Sequence, residues 1–505
     1  MCGIAGIVSC EPLTPDDAAR VERMNAALVH RGPDGAGWYS GAHVALAMRR
    51  LSIIDLEGGW QPLYNEDRSL ALVANGEVYN YVELREELAA RGHRFATKSD
   101  CETILHLYEE KGRDCVHELR GMFAFALWDS CRQQLLLARD RMGEKPLYLY
   151  EVDGRLYFAS EMKALLASGA LRLELDPVPL FDYFYYNYVP EPFTPLCGVR
   201  KLPAGHTLLL TVVPWRAEQK RYWAIEDAPP LGGDPAQLIR AELDRIGDIV
   251  IRSDVPVGMA LSGGLDSSAI ASLTVRKYPG VMSAFSVGYV GRPDCDERRD
   301  AKELADHLGM PFYDVEIKTD ELVAFFPELV RWTDDPIADI AGYGYYAVMK
   351  LARERGVPVM LQGQGGDELF WGYPWMRRAC RESLLKAELR RSGRRALWRY
   401  LRPSRPPSLS PRVLAHWGRR LGGVRDGWQT YRRHRAADPD RLVFQEISPA
   451  FQGITAELVD RVFSRAFLDR LADADPCDLF TMEGEWSSVP VALTGLICRT
   501  YLMCN

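Results

Sequence analysis

Apolar and polar positions follow two different textures along the chain. Through residue 190 the apolar residues come in short runs bounded by turn residues: Leu70–Ala74, Met122–Trp128, Gln134–Ala138 and Leu156–Ala159. Runs of this kind predict strands. Apolar residues at helical spacing predict amphipathic helices over Asp16–Val29 and Tyr81–Ala90, with Asn80 placed to cap the second. The mixture predicts strands paired into sheets with helices on the outside.

Prolines at 190, 192, 195, 203, 214, 229, 230 and 235 then punctuate a stretch with one short predicted strand, His206–Val212. This stretch reads as a connection between domains. From Gln237 helix and strand alternate. A helix at Ala241–Arg252 precedes a strand at Val257–Leu261 and a helix from about Asp266 to Lys277. A strand at Met282–Val287, a helix at Arg298–Leu308 and a strand at Phe312–Ile317 follow, then another helix. A helix at Tyr346–Glu354 feeds a strand at Val357–Leu361. Such alternation predicts a parallel sheet covered on both faces, with ligands beyond the carboxyl ends of its strands. From Trp375 the pattern is mostly helical. The predicted organisation is therefore α/β: an α+β sandwich over 2–190, a connection over 191–235, and a parallel-sheet domain with a helical C-terminal region over 236–505.

Composition narrows the class. A chain of 505 residues exceeds one ordinary core, and 47% hydrophobic with 26% charged residues is typical of a soluble globular protein. A net charge of −7 gives no reason to expect a nucleic-acid partner. The arginine-rich stretch from Arg377 to Arg435 is broken by acidic and apolar residues, and reads as a solvated helical face before a polyanion site. No apolar run approaches the ~18 residues of a membrane span, and no basic-then-apolar leader opens the chain. The eleven cysteines lack CxxC pairs and metal-ligand spacing. They predict reduced thiols in the cytoplasm, and no zinc site is visible.

The chemistry begins at Cys2. Removal of Met1 leaves a thiol beside a free α-amine, a nucleophile with its own base. Alone, a cysteine at position two is usually unremarkable. Here it precedes His30-Arg31-Gly32-Pro33-Asp34, Arg50-Leu51-Ser52-Ile53-Ile54-Asp55, Asn75-Gly76-Glu77-Val78-Tyr79-Asn80 and Ser99-Asp100-Cys101-Glu102. This ordered set resembles the class II glutamine amidotransferases, whose glutaminase domain has an N-terminal-nucleophile fold. The resemblance implies that Cys2 attacks the glutamine amide while Asn75 and the Gly76 N–H form an oxyanion hole. It also implies that Arg50 holds the α-carboxylate, that Asp100 and Glu77 receive the α-ammonium group, and that Leu51, Ser52 and Ile53 belong to the glutamine-binding residues. A glycine at 76 is expected to let the backbone come close to the substrate. Singly these residues have plainer readings: Asn75-Gly76 is a common turn, and Asp100 a common helix cap.

A second motif lies at a predicted strand-to-helix junction, where Val257–Leu261 runs into Ser262-Gly263-Gly264-Leu265-Asp266-Ser267-Ser268. Small residues at a helix N-terminus turn backbone N–H groups toward an anion. The Walker lysine is missing. The loop resembles that of the ATP pyrophosphatases, which implies that Ser262, Gly263, Gly264, Ser267 and Ser268 cradle pyrophosphate and that Asp266 holds Mg²⁺. After Val357–Leu361 the chain reads Gln362-Gly363-Gln364-Gly365-Gly366-Asp367-Glu368-Leu369-Phe370-Trp371-Gly372-Tyr373. This resembles the SGEGADELFGGY motif of asparagine synthetases. It implies adenylate contacts for Gln362 and Gly363, a second metal carboxylate in Asp367, and an adenine contact for Val287.

The asparagine-synthetase resemblance extends from Cys2 to Asn505. It implies glutamine, ATP and aspartate as substrates, Mg²⁺ with the ATP, ammonia passed through an internal tunnel, and leaves a homodimer open. Two positions depart from the family pattern. Gln364 stands where the motif has the glutamate of acyl-adenylate formation, and an amide cannot carry negative charge. The chain also stops at Cys498–Asn505, where the family continues into a further segment that carries part of the acceptor pocket. Gln364 makes a related amidotransferase acting on another carboxylate, such as one in surface-polysaccharide assembly, the alternative. A glutamine- or ATP-sensing binding protein is a third reading, disfavoured by the full set of Cys2, Arg50, Asn75, Gly76 and Asp100.

Overall fold

The computed structural model describes residues 1–294, 296–338, 341–392, Val459, 461–471 and Thr494. Its first strands are β1 (Gly3–Ser9), β2 (Gly35–Ser40), β3 (Val44–Arg50), β4 (Leu63–Tyr64), β5 (Leu70–Val78), β6 (Gly121–Asp129) and β7 (Gln134–Arg139). Then come β8 (Tyr148–Val152), β9 (Arg155–Ala159), β10 (Val199–Lys201), β11 (His206–Thr211) and β12 (Arg216–Arg221). They form two six-stranded antiparallel sheets, ordered β10-β8-β9-β1-β3-β2 and β12-β11-β7-β6-β5-β4.

Apolar side chains on both faces of each sheet explain the layering. Ile4 and Val8 of β1 meet Val73, Ala124, Ala126 and Leu135 of the facing sheet in a core between the two. Ala5 and Ile7, on the other face of β1, pack against Val21 and Met24 of α1 (Pro15–Ala26). On the outside of the second sheet, Leu72, Phe123 and Phe125 are covered by Leu84 and Leu88 of α2 (Tyr81–Ala90) and Ile104 and Leu105 of α3 (Glu102–Lys111). Each such large side chain, removed from water, contributes ~1.5–3 kcal/mol. The α1 helix starts at a capping box between Thr14 and Asp17 and ends three residues before the predicted Val29.

Two sequence expectations need correction, and the plain turn reading of Asn75-Gly76 is set aside. The segment 191–235 carries three strands rather than one, and β10, β11 and β12 hydrogen-bond into the two sheets of the sandwich. The β5 strand continues through Asn75-Gly76 to Val78, paired residue by residue with β6, so the Asn-Gly pair makes no turn. Asn80 stands at the start of α2 without capping it: its Oδ1 accepts from the Arg120 N–H (2.9 Å) and its Nδ2 donates to the Glu118 carbonyl (3.0 Å).

Beyond α4 (Met162–Ala167) and α5 (Pro177–Tyr186), helices and strands alternate as expected. The helices are α6 (Pro235–Ile249), α7 (Leu265–Thr274), α8 (Arg298–Leu308), α9 (Thr319–Thr333) and α10 (Ala341–Glu354). The strands β13 (Val257–Ala260), β14 (Ser283–Tyr289), β15 (Phe312–Ile317) and β16 (Val359–Leu361) form a parallel sheet ordered β15-β14-β13-β16. The chain steps outward from β13 to β14 to β15, then returns to place β16 on the other side of β13. The carboxyl ends of β13 and β16 therefore flank a topological switch point, where open α/β sheets bind ligands.

The chain divides into two compact units, one built of Met1–Tyr183 and Asn187–Gly365 and the other containing Phe184–Tyr186 and the residues from Gly366 to Cys498. The second holds α11 (Gly366–Phe370), α12 (Pro374–Ser392) and a helix at Arg465–Leu471. Arg377, Arg378 and Arg381 are exposed on α12, as the solvated-face reading predicts. The rest of that arginine-rich stretch from 393, and the terminal Cys498–Asn505, lie outside the described residues. No described helix is long and apolar enough to cross a membrane.

Candidate active sites

The first site is a cleft at the edge of the sandwich. Cys2, Arg50, Leu51, Ile53, Asn75, Gly76, Glu77 and Asp100 all line it. Four segments far apart in sequence thus converge where β1 begins and β3 and β5 end. Ser52 is the one predicted glutamine-binding residue outside the lining; its N–H donates to Asp34 Oδ2 (2.8 Å).

Cys2 is held from several sides. The Leu51 N–H donates to Cys2 Sγ (3.4 Å), and the Cys2 thiol faces the Leu51 carbonyl (3.6 Å). The Arg31 Nε donates to the Cys2 carbonyl (2.9 Å), and Arg31 and His30 both engage Glu161. Burial works against the Glu161 carboxylate, but His30 and Arg31 hold its pKa down to about 2. The His30-Arg31 pair is therefore an anchor for the start of the chain. Burial raises the Cys2 thiol pKa, with the Leu51 hydrogen bond opposing it. A thiol so placed needs a base. Burial lowers the amine of Met1 to about 5.

Asn75 is fully buried on β5, and both polar atoms of its amide lack a protein hydrogen-bond partner. Leaving such a group unpaired costs ~1–3 kcal/mol, which marks it as poised for something that enters the cleft. Gly76, beside it, has φ +150°, and a Cβ there would lie 2.0 Å from the Met122 carbonyl oxygen. A side chain at 76 would therefore collide with the neighbouring strand β6, while the Gly76 backbone lines the cleft.

Two cations and two carboxylates share the cleft: Arg50 and Lys145, Glu77 and Asp100. The Arg50 guanidinium is fixed by the carbonyls of Ile54 (3.3 Å), Asp55 (2.5 Å) and Leu56 (3.4 Å), and lies over the Trp60 ring. Asp100 accepts from the Val78 N–H (2.7 Å), and burial raises its pKa. Burial, then the Asp100 charge, pushes Glu77 up to about 7. Such a set suits a zwitterion, with its carboxylate at the cations and its ammonium at the acids. Lys145, Gln61, Met122, Ser99 and Cys101 also line the cleft and were not found from sequence. Only Ser99 and Cys101 had a signal, as neighbours of Asp100.

The loop that fixes Arg50 also reaches the segment leading into the parallel sheet. The Asp55 N–H donates to Asp254 Oδ2 (2.7 Å) and the Asp254 N–H to the Ile53 carbonyl (3.0 Å), just ahead of β13.

The second site lies where β13 ends. Ser262, Gly263 and Gly264 turn into α7, whose first turn carries Asp266, Ser267 and Ser268. Ser262 and Ser267 hydroxyls bond each other (2.8 Å), and the Ser268 hydroxyl donates to the Gly264 carbonyl (2.7 Å). The Gly263 N–H donates to the Glu297 carboxylate (3.1 Å), a bond of the kind a phosphate oxygen accepts. Gly363, after β16, sits so close that a Cβ would be 2.4 Å from the Ser267 nitrogen. The structure thus brings Ser262–Ser268 and Gly363 together at the switch point. The Gln362 side chain donates to Gln364 Oε1 (3.2 Å) beside it. Val287, inside β14, is partly buried and packs against the cluster of Phe285 and Val348. Asp367 belongs to the first turn of α11, in the other compact unit.

Residues 1–223 match the glutamine amidotransferase domain family and residues 238–474 the asparagine synthase family. Asparagine synthetase (glutamine-hydrolysing) 1 of Bacillus subtilis is 40% identical over 378 residues, which cover 74% of this chain and 59% of the relative. Asparagine synthetase (glutamine-hydrolysing) of Sandersonia aurantiaca is 33% identical over 77% of this chain and 70% of its own length. Asparagine synthetase B (glutamine-hydrolysing) of Escherichia coli is 33% identical over 75% of this chain and 66% of its own length. The chain thus matches about three fifths of the Bacillus relative's length.

Proposed function

The chain belongs to the glutamine-hydrolysing asparagine synthetase family, and from that membership we propose that it converts ATP, aspartate, glutamine and water to AMP, diphosphate, asparagine and glutamate. The observation that carries this reading is the convergence of Cys2, Arg50, Asn75, Glu77 and Asp100 in one cleft, on a chain whose β13 runs into a phosphate-type loop.

In this mechanism the α-amine exposed by loss of Met1 takes the Cys2 proton, and the thiolate attacks the glutamine amide. The Asn75 amide and the Gly76 N–H receive the developing oxyanion, which supplies the partner that the buried Asn75 lacks. Arg50 pairs with the α-carboxylate as a fixed fork of donors. Water then releases glutamate from the thioester. The ammonia travels inside the protein, because bulk water at neutral pH would protonate it. At the second site the N–H groups and hydroxyls of Ser262–Ser268 hold the pyrophosphate of ATP, and Gln362, Gly363 and Val287 border its adenylate. Asp266 offers the carboxylate oxygens that a hard cation such as Mg²⁺ prefers, and the ion would neutralise phosphate charge when bound. Aspartate, activated as its acyl-adenylate, receives the ammonia and releases AMP.

An ATP–pyrophosphate exchange assay tests the acceptor. Exchange that depends on aspartate supports the reading; exchange with another acid and none with aspartate overturns it. The second reading, a different carboxylate acceptor, is favoured by Gln364. Its amide is hydrogen-bonded to Gln362, where the family motif places a carboxylate.

Glutamine binding should depend on pH through Glu77. Below about 7 this carboxyl is protonated and no longer attracts an ammonium group. The bound α-ammonium favours the ionised form, so glutamine expels the proton. KM for glutamine is expected to rise by up to ~10-fold per unit as pH falls below 7. Glu77→Gln should raise KM at neutral pH and flatten its acid dependence. An unchanged pH profile in that variant would contradict the assignment.

A further inference from the structure

On the outer face of the sandwich, away from the residues that line the cleft, Glu66, His93 and His106 bring their ligand atoms within 4.8 Å of one another. Glu66 lies between β4 and β5, His93 just after α2, and His106 on α3. We propose that these three residues, with Glu109, form a binding site for a divalent transition metal of the zinc class.

The argument rests on which atoms face inward. His106 Nδ1 lies 2.9 Å, and His93 Nδ1 3.2 Å, from the same Glu109 oxygen, Oε2. His106 Nδ1 is also 3.8 Å from Glu66 Oε2. Ligand atoms on a tetrahedral zinc, at ~2.0–2.1 Å from it, stand about 3.3 Å apart. The set is therefore already close to the spacing a metal imposes.

The outward atoms are held by the protein. Glu109 Oε1 accepts from Asn65 Nδ2 (2.8 Å), and Glu66 Oε1 from the Arg94 N–H (2.9 Å), which leaves each Oε2 turned to the histidines. His93 Nε2 is backed by Glu110 Oε1 (3.1 Å), which Arg91 also holds (2.8 Å), and His106 Nε2 faces Glu102 Oε1 (3.8 Å). The carboxylate behind His93 fixes that ring's tautomer and strengthens it as a ligand, while His106 Nε2 has no hydrogen-bond partner. His106 is wholly buried, its ring set between His93 (4.8 Å) and Phe95 (4.5 Å), while Glu66 is exposed and leaves a path for the ion. Two imidazoles with carboxylates suit zinc rather than Mg²⁺ or Ca²⁺, which prefer oxygen ligands throughout. No residue spacing announces the site, because its ligands come from three separate segments joined only by folding.

Calorimetric titration of the full chain with Zn²⁺ after chelator stripping, followed by dialysis and elemental analysis, tests the site. One retained zinc per chain is expected. Loss of a flanking carboxylate costs ~10–100-fold in affinity, so His93→Gln, which removes a ligand, should cost ~100-fold or more. Glu66→Gln should weaken binding in the same direction, and His117→Gln, at another surface histidine, should not. Zinc retained equally by wild type and both ligand variants would place the ion elsewhere and overturn the proposal. So would absence of zinc from the wild type, which would leave the cluster an ion-pair network.

Discussion

Cys2→Ala is expected to abolish glutamine-dependent synthesis, with a fall of at least ~10⁴ in rate, while synthesis from added ammonia persists. The magnitude follows from what is removed. A single methyl cannot form the thioester, and the rest of the cleft offers only binding and an oxyanion hole, which in comparable hydrolases leave a small residual rate. Ammonia-dependent synthesis needs the ATP and acceptor residues but not this thiol, so it should stay within about twofold. The folded state should tolerate the change, because the thiol's one close N–H partner, at Leu51, stands at 3.4 Å and contributes little. Steady-state assays with glutamine and with ammonium chloride, run in parallel, decide the matter. If both activities fell together, the division into two sites would fail.

Asn75→Ala should lower the glutaminase kcat by ~10²–10³, the usual result of deleting one oxyanion donor. KM for glutamine should change little, since the contact strengthens only as the oxyanion forms. The substitution should not destabilise the protein by much. The Asn75 amide is buried without a protein hydrogen-bond partner, so an apolar replacement removes an unmet demand. A kcat near wild type in a well-folded variant would remove Asn75 from the reaction. A large rise in KM at constant kcat would make it a ground-state contact instead.

Where local pattern and tertiary structure agree, the sequence was readable to the residue. The helices Tyr81–Ala90 and Arg298–Leu308 and the strand Phe312–Ile317 fall where periodicity puts them. The failures have physical causes. β12 is polar apart from Ala217 and exposed, so no hydrophobic alternation marks it; it exists because β11 offers an edge to pair with. Asn75-Gly76 carries a turn signal, but the β6 backbone holds the pair extended and leaves no room for a side chain at 76. The nucleophile and the strand-end loop were legible because each chemistry sits in one short stretch. Lys145 and Glu161 were not, since they reach Cys2 only through the folded sandwich.

The central claim is that the thiol of Cys2, made the first residue by loss of Met1, is the nucleophile that releases nitrogen from glutamine. Intact-mass and peptide analysis of the purified protein after exposure to a glutamine-mimicking electrophile tests it most directly. The account predicts a chain that lacks Met1 and carries one adduct, on Cys2, with glutaminase activity lost in step. Retained Met1 in active protein, or an adduct confined to another cysteine such as Cys101, would contradict it.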